Sequence, residues 1–573
     1  MDTGRVEKEK MVIYQVFPRL FGNLNAALVK NGNINDNGVG KFSFFTPKAL
    51  TQIKELGITH IWYTGIIEHA TKTDYTYYHI QKDHSAVVKG NAGSPYAIKD
   101  YYDVDPDLAD SVPNRMEEFE ALVRRTHEAG LKVIIDFVPN HVAREYQSDA
   151  RLPYVEDLGQ RDNVSKAFDP NNNFYYLPGQ VLTLSLGAEG DPEYYQYSEF
   201  PAKVTGNDCF NAHPSRNDWY ETVKLNYGVD YMNGRTKHFN PVPSTWLKMR
   251  DILFFWASKG IDGFRCDMAE MVPVEFWNWV IPVIKHDYPV CFIGEVYNPA
   301  EYRNYIFTGH FDYLYDKVGL YDTLRNVMCR RQHAADIPRC WQSLGGIQEH
   351  MLNFLENHDE QRIASDFFAG NPWPGIPGMV VAALMNTNPV MIYSGQELGE
   401  PGMDEEGFSG RDGRTTIFDY WSVRSLRNWI NGGTFDGGCL DSDQRLLRDA
   451  YRRILNLAKS EPAFVNGAFY DLMYVNGTNP YFNVHHQYAF LRKYEDEVVL
   501  VVANFDSAEQ KVRVVIPTDA FRALGFQENQ AAWETDLITG KKTIGTLTDA
   551  WPYQVIIPGY SARIIKFTYS KDL

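Results

Sequence analysis

The chain predicts an α/β fold: a (β/α)8 (TIM) barrel with a domain inserted after strand 3 and a C-terminal antiparallel β-sandwich. Three observations carry this. Eight short apolar runs recur between residues 12 and 397, each ending in polar residues. Stretches of helical period lie between them, and one gap is oversized. Beyond about residue 460 the pattern changes to strands separated by turn signals.

The eight runs are VIYQVF (12–17), HIWYTG (60–65), KVIIDFV (132–138), IDGFRCD (261–267), VCFIGEV (290–296), FDYLYD (311–316), NFLENHD (353–359) and PVMIYSGQE (389–397). Near-continuous apolar runs mark parallel strands covered on both faces. Strands alternating with helices make an α/β fold, and eight such units close a barrel. A doubly wound open sheet is the alternative, but no G-x-G-x-x-G follows the first run.

Of the helices, RMEEFEALVRRTHEAG (115–130) places Met116, Phe119, Leu122 and Val123 on one face and stops at Gly130. STWLKMRDILFFWASKG (244–260) offers Ser244 as N-cap and Gly260 as its stop. Asp267 to Glu295 spans one β/α unit and Glu295 to Asp359 about two, whereas Asp136 to Asp267 spans roughly a hundred residues more than one unit needs. That excess is rich in Tyr, Asn, Pro and Gly and is expected to form a small irregular domain. The expected division is therefore 1–141 (barrel), 142–243 (insert), 244–460 (barrel) and 461–573 (β-sandwich), the last resting on YAFLRKY, EVVLVVANF, KVRVVIP and SARIIKFTY.

Composition excludes several classes. A net charge of −17 argues against nucleic-acid and anionic-membrane partners. Six cysteines without a C-x-x-C read as free thiols. No run of 18 apolar residues occurs, and MDTGRVEKEKM has no apolar region. A soluble protein is expected, cytoplasmic or periplasmic, with no signal peptide in the given chain. The 36 tyrosines suit either ordinary packing or stacking on polyhydroxylated ligands.

Asp136, Asp267, Glu295 and Asp359 each stand at the end of an expected strand. In a barrel those ends share one rim, where active sites are built. Any one of them could instead cap a helix, but each has a polar companion. These are Asn140 and His141 after Asp136, Arg265 before Asp267, and Asn357 and His358 before Asp359. A carboxylate beside arginine stays ionised, while one among other acids holds its proton. One of each is the pair that retaining glycoside hydrolysis needs, with carboxyls about 5–5.5 Å apart.

These residues resemble the α-amylase family of glycoside hydrolases (glycoside hydrolase family 13). DFVPNH (136–141), GFRCD (263–267), GEV (294–296) and ENHD (356–359) match its four conserved regions in order and spacing. The resemblance implies Asp267 as nucleophile, Glu295 as general acid/base and Asp359 as stabiliser of the transition state. It implies that Arg265 orients and ionises Asp267, that His141 and His358 bind sugar hydroxyls, that Tyr96 stacks on the same sugar and that Arg362 supports the pocket. Asp136 is implied to have a structural role. The substrate implied is an α-1,4-glucan: maltodextrin, starch, cyclodextrin or pullulan.

Three departures refine the resemblance. Where the family often has Lys-His after the nucleophile, this chain has Glu270-Met271, so leaving-group contacts differ. TVKLN (222–226) resembles the fifth region of neopullulanases, cyclomaltodextrinases and maltogenic amylases, with Lys224 as its mark; a surface lysine is the plain alternative. The loop NGNINDNGVGK (31–41) has asparagines where the family's cation loop has acids, and Lys41 is expected to fill the place of a metal. No cofactor is required, calcium is not expected at that loop, and Asn140 matches the family's other calcium position. A transglycosylase and a non-catalytic relative of the transporter heavy-chain type are the competing functions.

Overall fold

The computed structural model describes residues 9–184 and 197–569. The start of the N-terminal stretch (1–8) and residues 185–196 of the expected insert lie outside the described residues.

Eight strands form the barrel: β1 Val12–Val16, β2 His60–Tyr63, β3 Lys132–Phe137, β4 Gly263–Cys266, β5 Cys291–Gly294, β6 Tyr313–Tyr315, β7 Met351–Phe354 and β8 Val390–Tyr393. They close in sequence order, β1 pairing with both β2 and β8. Every neighbouring pair is parallel. Each overlaps one of the eight apolar runs, β7 least, since it ends at Phe354 and shares only residues 353–354 with its run. The reason is burial: helices cover the outer face and packed side chains fill the interior, so neither face calls for polar residues.

Helix α1 (Arg115–Glu128) buries Phe119, Leu122 and Val123 and keeps Met116 half-buried, the face expected from its period. Gly130 then turns the chain at φ +75°, a value that favours glycine. Helix α2 (Ser244–Ala257) begins one residue earlier than expected, with Pro243 in the cap position and no side-chain cap. Ser244 is therefore not the cap; its hydroxyl accepts from Asn173 Nδ2 of the inserted segment (3.4 Å).

Between β3 and α2 the chain forms only short antiparallel pairs and, among the described residues, no helix. His141–Ala143 pairs with Thr222–Lys224, and Tyr176–Leu177 with Ala202–Lys203. A separate apolar cluster around Tyr175, Leu182, Val204 and Ala212 holds this segment together. Its first ladder starts at His141, so the insert is hydrogen-bonded directly to the rim of the barrel.

The C-terminal part contains β9 Ala468–Asp471, β10 Gln487–Tyr494, β11 Glu497–Asn504, β12 Gln510–Val514, β13 Ala531–Asp536, β14 Lys542–Thr546, β15 Tyr553–Ile557 and β16 Ser561–Thr568. An antiparallel six-stranded sheet runs β9-β10-β11-β16-β13-β14, and β12 pairs with β15 in a second layer. Tyr553 meets Phe567 edge-on at 5.5 Å between the layers. Arg492 reaches back to the barrel shell by donating to the Leu384 carbonyl (2.8 Å).

The six cysteines carry free thiols. Among the described residues no helix is long and apolar enough to cross a membrane.

Candidate active site

Arg265 organises the rim. It stands in β4 opposite Asp136 of β3 and is 1% exposed. A buried guanidinium is tolerated only with charge partners and hydrogen bonds. Here Nη1 binds Asp267 Oδ1 (2.8 Å) and Asp136 Oδ1 (3.2 Å). Nη2 lies 2.9 Å from Glu295 Oε2, an ion pair off the hydrogen-bond line. Nε donates to the Tyr315 hydroxyl (3.0 Å), and the rings of Trp62, Tyr96 and Tyr315 surround the cation at 5.1–5.5 Å.

The acids differ in how the scaffold treats them. Asp136 is occupied on both oxygens. Trp62 Nε1 (3.0 Å) and the Gly65 amide (3.3 Å) donate to Oδ2, while Tyr96 (3.3 Å) and Arg265 donate to Oδ1. It is a brace, as the sequence suggested. Asp267, one residue past β4, gives Oδ1 to Arg265, and its Oδ2 lies 4.0 Å from His141 Nε2, beyond hydrogen-bonding reach. Glu295, one residue past β5, accepts the Met268 amide at Oε2 (2.8 Å) and the Tyr297 hydroxyl at Oε1. Met268 takes the left-handed conformation (φ +44°) next to Asp267 and turns its amide toward Glu295. Asp359 is the most open, its amide capped by Asn357 (2.9 Å) and its Oδ2 3.1 Å from His358 Nε2.

Charge is unevenly distributed over this cluster. Burial pushes the Asp267 carboxyl well above the usual range, and the pull of Arg265 does not offset burial together with Glu295, Asp359 and Asp136. Arg265 orients Asp267 and draws its pKa down, while burial and the neighbouring acids act in the opposite direction. For Asp359 burial also opposes ionisation, but His358 and its hydrogen bond, Arg265 and Arg414 outweigh it and hold the carboxyl below the usual range.

Both histidines come to the rim. His358 is fixed on three sides: Gln15 Nε2 donates to Nδ1 (2.8 Å), Tyr96 hydroxyl lies 2.6 Å from Nε2, and the Tyr96 ring stacks on it. With Nδ1 accepting, the Nε2 proton faces Tyr96 and Asp359. His141 accepts from Asn140 Nδ2 at Nδ1 (3.2 Å). Burial, then Lys224 and Lys89, lowers its pKa to about 3, so its imidazole is neutral.

Lys224 is not a surface lysine. It is 2% exposed and its ammonium binds Asn140 Oδ1 (2.9 Å) and Asp208 Oδ1 (2.6 Å), over the Tyr231 ring. The amide oxygen that a calcium ion would need from Asn140 is thus engaged by an ammonium. Lys41, in contrast, does not fill the 31–37 loop. It donates to the carbonyls of Asp107 (2.7 Å) and Ala109 (2.9 Å), while Asn33 caps the short helix that follows it.

Arg362 is drawn elsewhere. It pairs with Glu356 (2.9 Å), donates to Thr415 (2.9 Å) and covers the Tyr393 ring at 4.0 Å. It supports the β7 and β8 loops from behind rather than joining the acids. Sequence reasoning missed Gln15, Trp62, Tyr297, Met268, Tyr315 and Arg414. Gln15 alone carried a signal, being a lone polar residue inside an apolar strand.

Comparison with known proteins agrees with this geometry. The family described as "Alpha amylase, catalytic domain" matches residues 15–422. Alpha-amylase 2 of Dictyoglomus thermophilum is 22% identical over 509 residues, covering 88% of this chain and 70% of that protein. Among solved structures, a noncanonic maltogenic alpha-amylase from Thermotoga neapolitana superposes with a TM-score of 0.61 at 18% identity, covering 98% of this chain and 99% of that one. An alpha-amylase from Geobacillus thermoleovorans, complexed with acarbose, gives 0.61 at 18% identity over 98% and 99%. With a barrel, four strand-end acids and a family match across most of its length, the chain belongs to the α-amylase family of glycoside hydrolases.

Proposed function

We propose that the protein is a retaining α-glucan hydrolase that cleaves α-1,4-glucosidic bonds through a covalent glycosyl-enzyme. The observation that carries this is the sharing of one buried guanidinium, Arg265, by Asp267 and Glu295 on different nitrogens, with Asp359 beside them.

The roles follow from the surroundings of each acid. Glu295, in its acid form, passes a proton to the glycosidic oxygen. The Asp267 carboxylate, with Oδ2 free of Arg265, forms a bond to C1 as the C1–O bond breaks. Glu295 then takes a proton from water, whose oxygen attacks C1 and releases Asp267. Asp359, held ionised, faces the positive charge that develops between these steps. His141 offers its Nε2 proton to a sugar hydroxyl, His358 holds Asp359 and Tyr96 in place for the same sugar, Tyr96 offers a ring face, and Arg362 holds the loop behind them. No step passes through a metal.

The substrate class is maltodextrins, starch, cyclodextrins or pullulan, in keeping with the acarbose bound by the Geobacillus neighbour. Glu270-Met271 alters the leaving-group side, where Glu270 Oε2 accepts the Asn298 amide (3.1 Å). Asp267→Asn and Glu295→Gln, assayed on maltoheptaose, cyclodextrin and pullulan, should each lose at least about 10³-fold in kcat. Near wild-type turnover in both would overturn the mechanism. Product profiles at high oligosaccharide concentration separate water from sugar as the acceptor.

A further inference from the structure

A second group of acids lies outside the mechanism. The loop after β2 enters the short strand Ile67–His69, which pairs antiparallel with Ile98–Val104. Glu68 stands directly opposite Asp100, with an irregular step on either side. Asp103 follows on the same strand, and Asp149 comes from the start of the inserted segment. Glu68, Asp100, Asp103 and Asp149 each place an oxygen within 4.8 Å of the other three.

Like charges directly opposed in a ladder destabilise it, and burial raises the cost. Glu68 is 1% exposed, and neither of its carboxylate oxygens has a hydrogen-bond partner. Neither nearby cation bonds to Glu68: Lys99 binds Asp83 (3.1 Å), and Arg115 pairs within the cluster, with Asp103 Oδ2 (Nε, 3.0 Å), leaving Asp103 Oδ1 outside that pair. Meanwhile Asp100 is pre-oriented: Tyr102 N (2.8 Å) and Ser148 Oγ (2.6 Å) donate to Oδ1, and the Asp149 (2.9 Å) and Ala150 (3.0 Å) amides donate to Oδ2. Carboxylates fixed by outer hydrogen bonds around an unsatisfied buried partner have the anatomy of a metal site.

We propose that Glu68, Asp103 and Asp149 bind a hard divalent cation of the calcium class, with Asp100, whose oxygens are already taken, bracing the site. All donors are oxygens and no imidazole or thiol is present, which excludes a zinc-type site and fits calcium or magnesium. The position gives the ion a task. Tyr96 lies just ahead of the Ile98–Val104 strand, and Ser148–Ala150 opens the insert, so the ion ties the Tyr96 loop to the insert beside the rim. This inference does not depend on the hydrolytic mechanism.

The test is calorimetric titration of chelator-treated full-length protein with calcium chloride and magnesium chloride, paired with thermal melting. Two variants are compared: Glu68→Gln, and Asp149→Asn at an exposed position that poses no folding risk. The expected result is about one ion per chain, a melting temperature raised by the ion, and affinity at least about tenfold weaker in each variant that folds. Absence of binding and of any melting shift up to about 10 mM of either ion would overturn the proposal. So would binding that Asp149→Asn leaves unchanged.

Discussion

Two clusters of four carboxyls lie near the same rim, and they solve the problem of crowded negative charge in opposite ways. Around Asp136, Asp267, Glu295 and Asp359 the fold supplies its own cation, Arg265, walled by three aromatic rings. Around Glu68, Asp100, Asp103 and Asp149 it supplies none to Glu68. The first arrangement fixes acids rigidly while leaving Asp267 Oδ2 and Asp359 open toward a sugar. The second fixes Asp100 and Asp103, leaves Asp149 exposed and leaves Glu68 unsatisfied, which suits a small cation. The difference teaches that an acid's role depends on which of its oxygens the scaffold has already taken.

Arg265→Met should break the first arrangement most severely. It removes the charge partner of three buried carboxyls, so activity should vanish, and stability should fall by about 3–5 kcal/mol in denaturant melts. A variant that keeps wild-type stability would mean the acids do not lean on the guanidinium.

Glu356→Gln tests a buried acid whose charge partner, Arg362, does not suffice. Burial raises its pKa to about 7 against the pull of Arg362. A carboxyl raised on folding favours the fold below its unfolded pKa and loses that contribution as pH rises through the folded value. The wild type should therefore lose, on the order of 3 kcal/mol, relative to Glu356→Gln between about pH 4.5 and 7. Parallel melting curves across that range would contradict the assignment.

Lys224→Met probes an internal ammonium in the place a metal would take. Its partner Asp208 is a third exposed and can rehydrate, so the loss should be smaller, about 1–3 kcal/mol. KM should rise more than kcat falls, because the insert, not the acids, loosens. Unchanged stability and KM would show that Lys224 clamps nothing.

Much of the fold was legible because parallel strands buried on both faces leave short apolar runs, and their regular alternation with helical stretches separates them from a buried helix such as Gly375–Leu384. The acids were legible because each interrupts such a run at its end. The wall around Arg265 was not, since Gln15, Trp62 and Tyr315 meet only through the closure of strands far apart in sequence. The Glu68 group was equally hidden: it depends on the register of one irregular hairpin and on a segment 45 residues further on, at 148–150. Lys41 and Ser244 misled for a common reason. Each had a plausible local partner, and tertiary packing offered a closer one.

The central claim is a covalent bond between Asp267 and C1 of the sugar. The direct measurement is peptide mass mapping of Glu295→Gln after reaction with α-maltosyl fluoride, a substrate whose leaving group needs no proton. The expected result is one maltosyl increment on the peptide carrying Asp267, released slowly by water. Turnover of the fluoride with inverted product and an unlabelled protein, or a label on another residue, would contradict it.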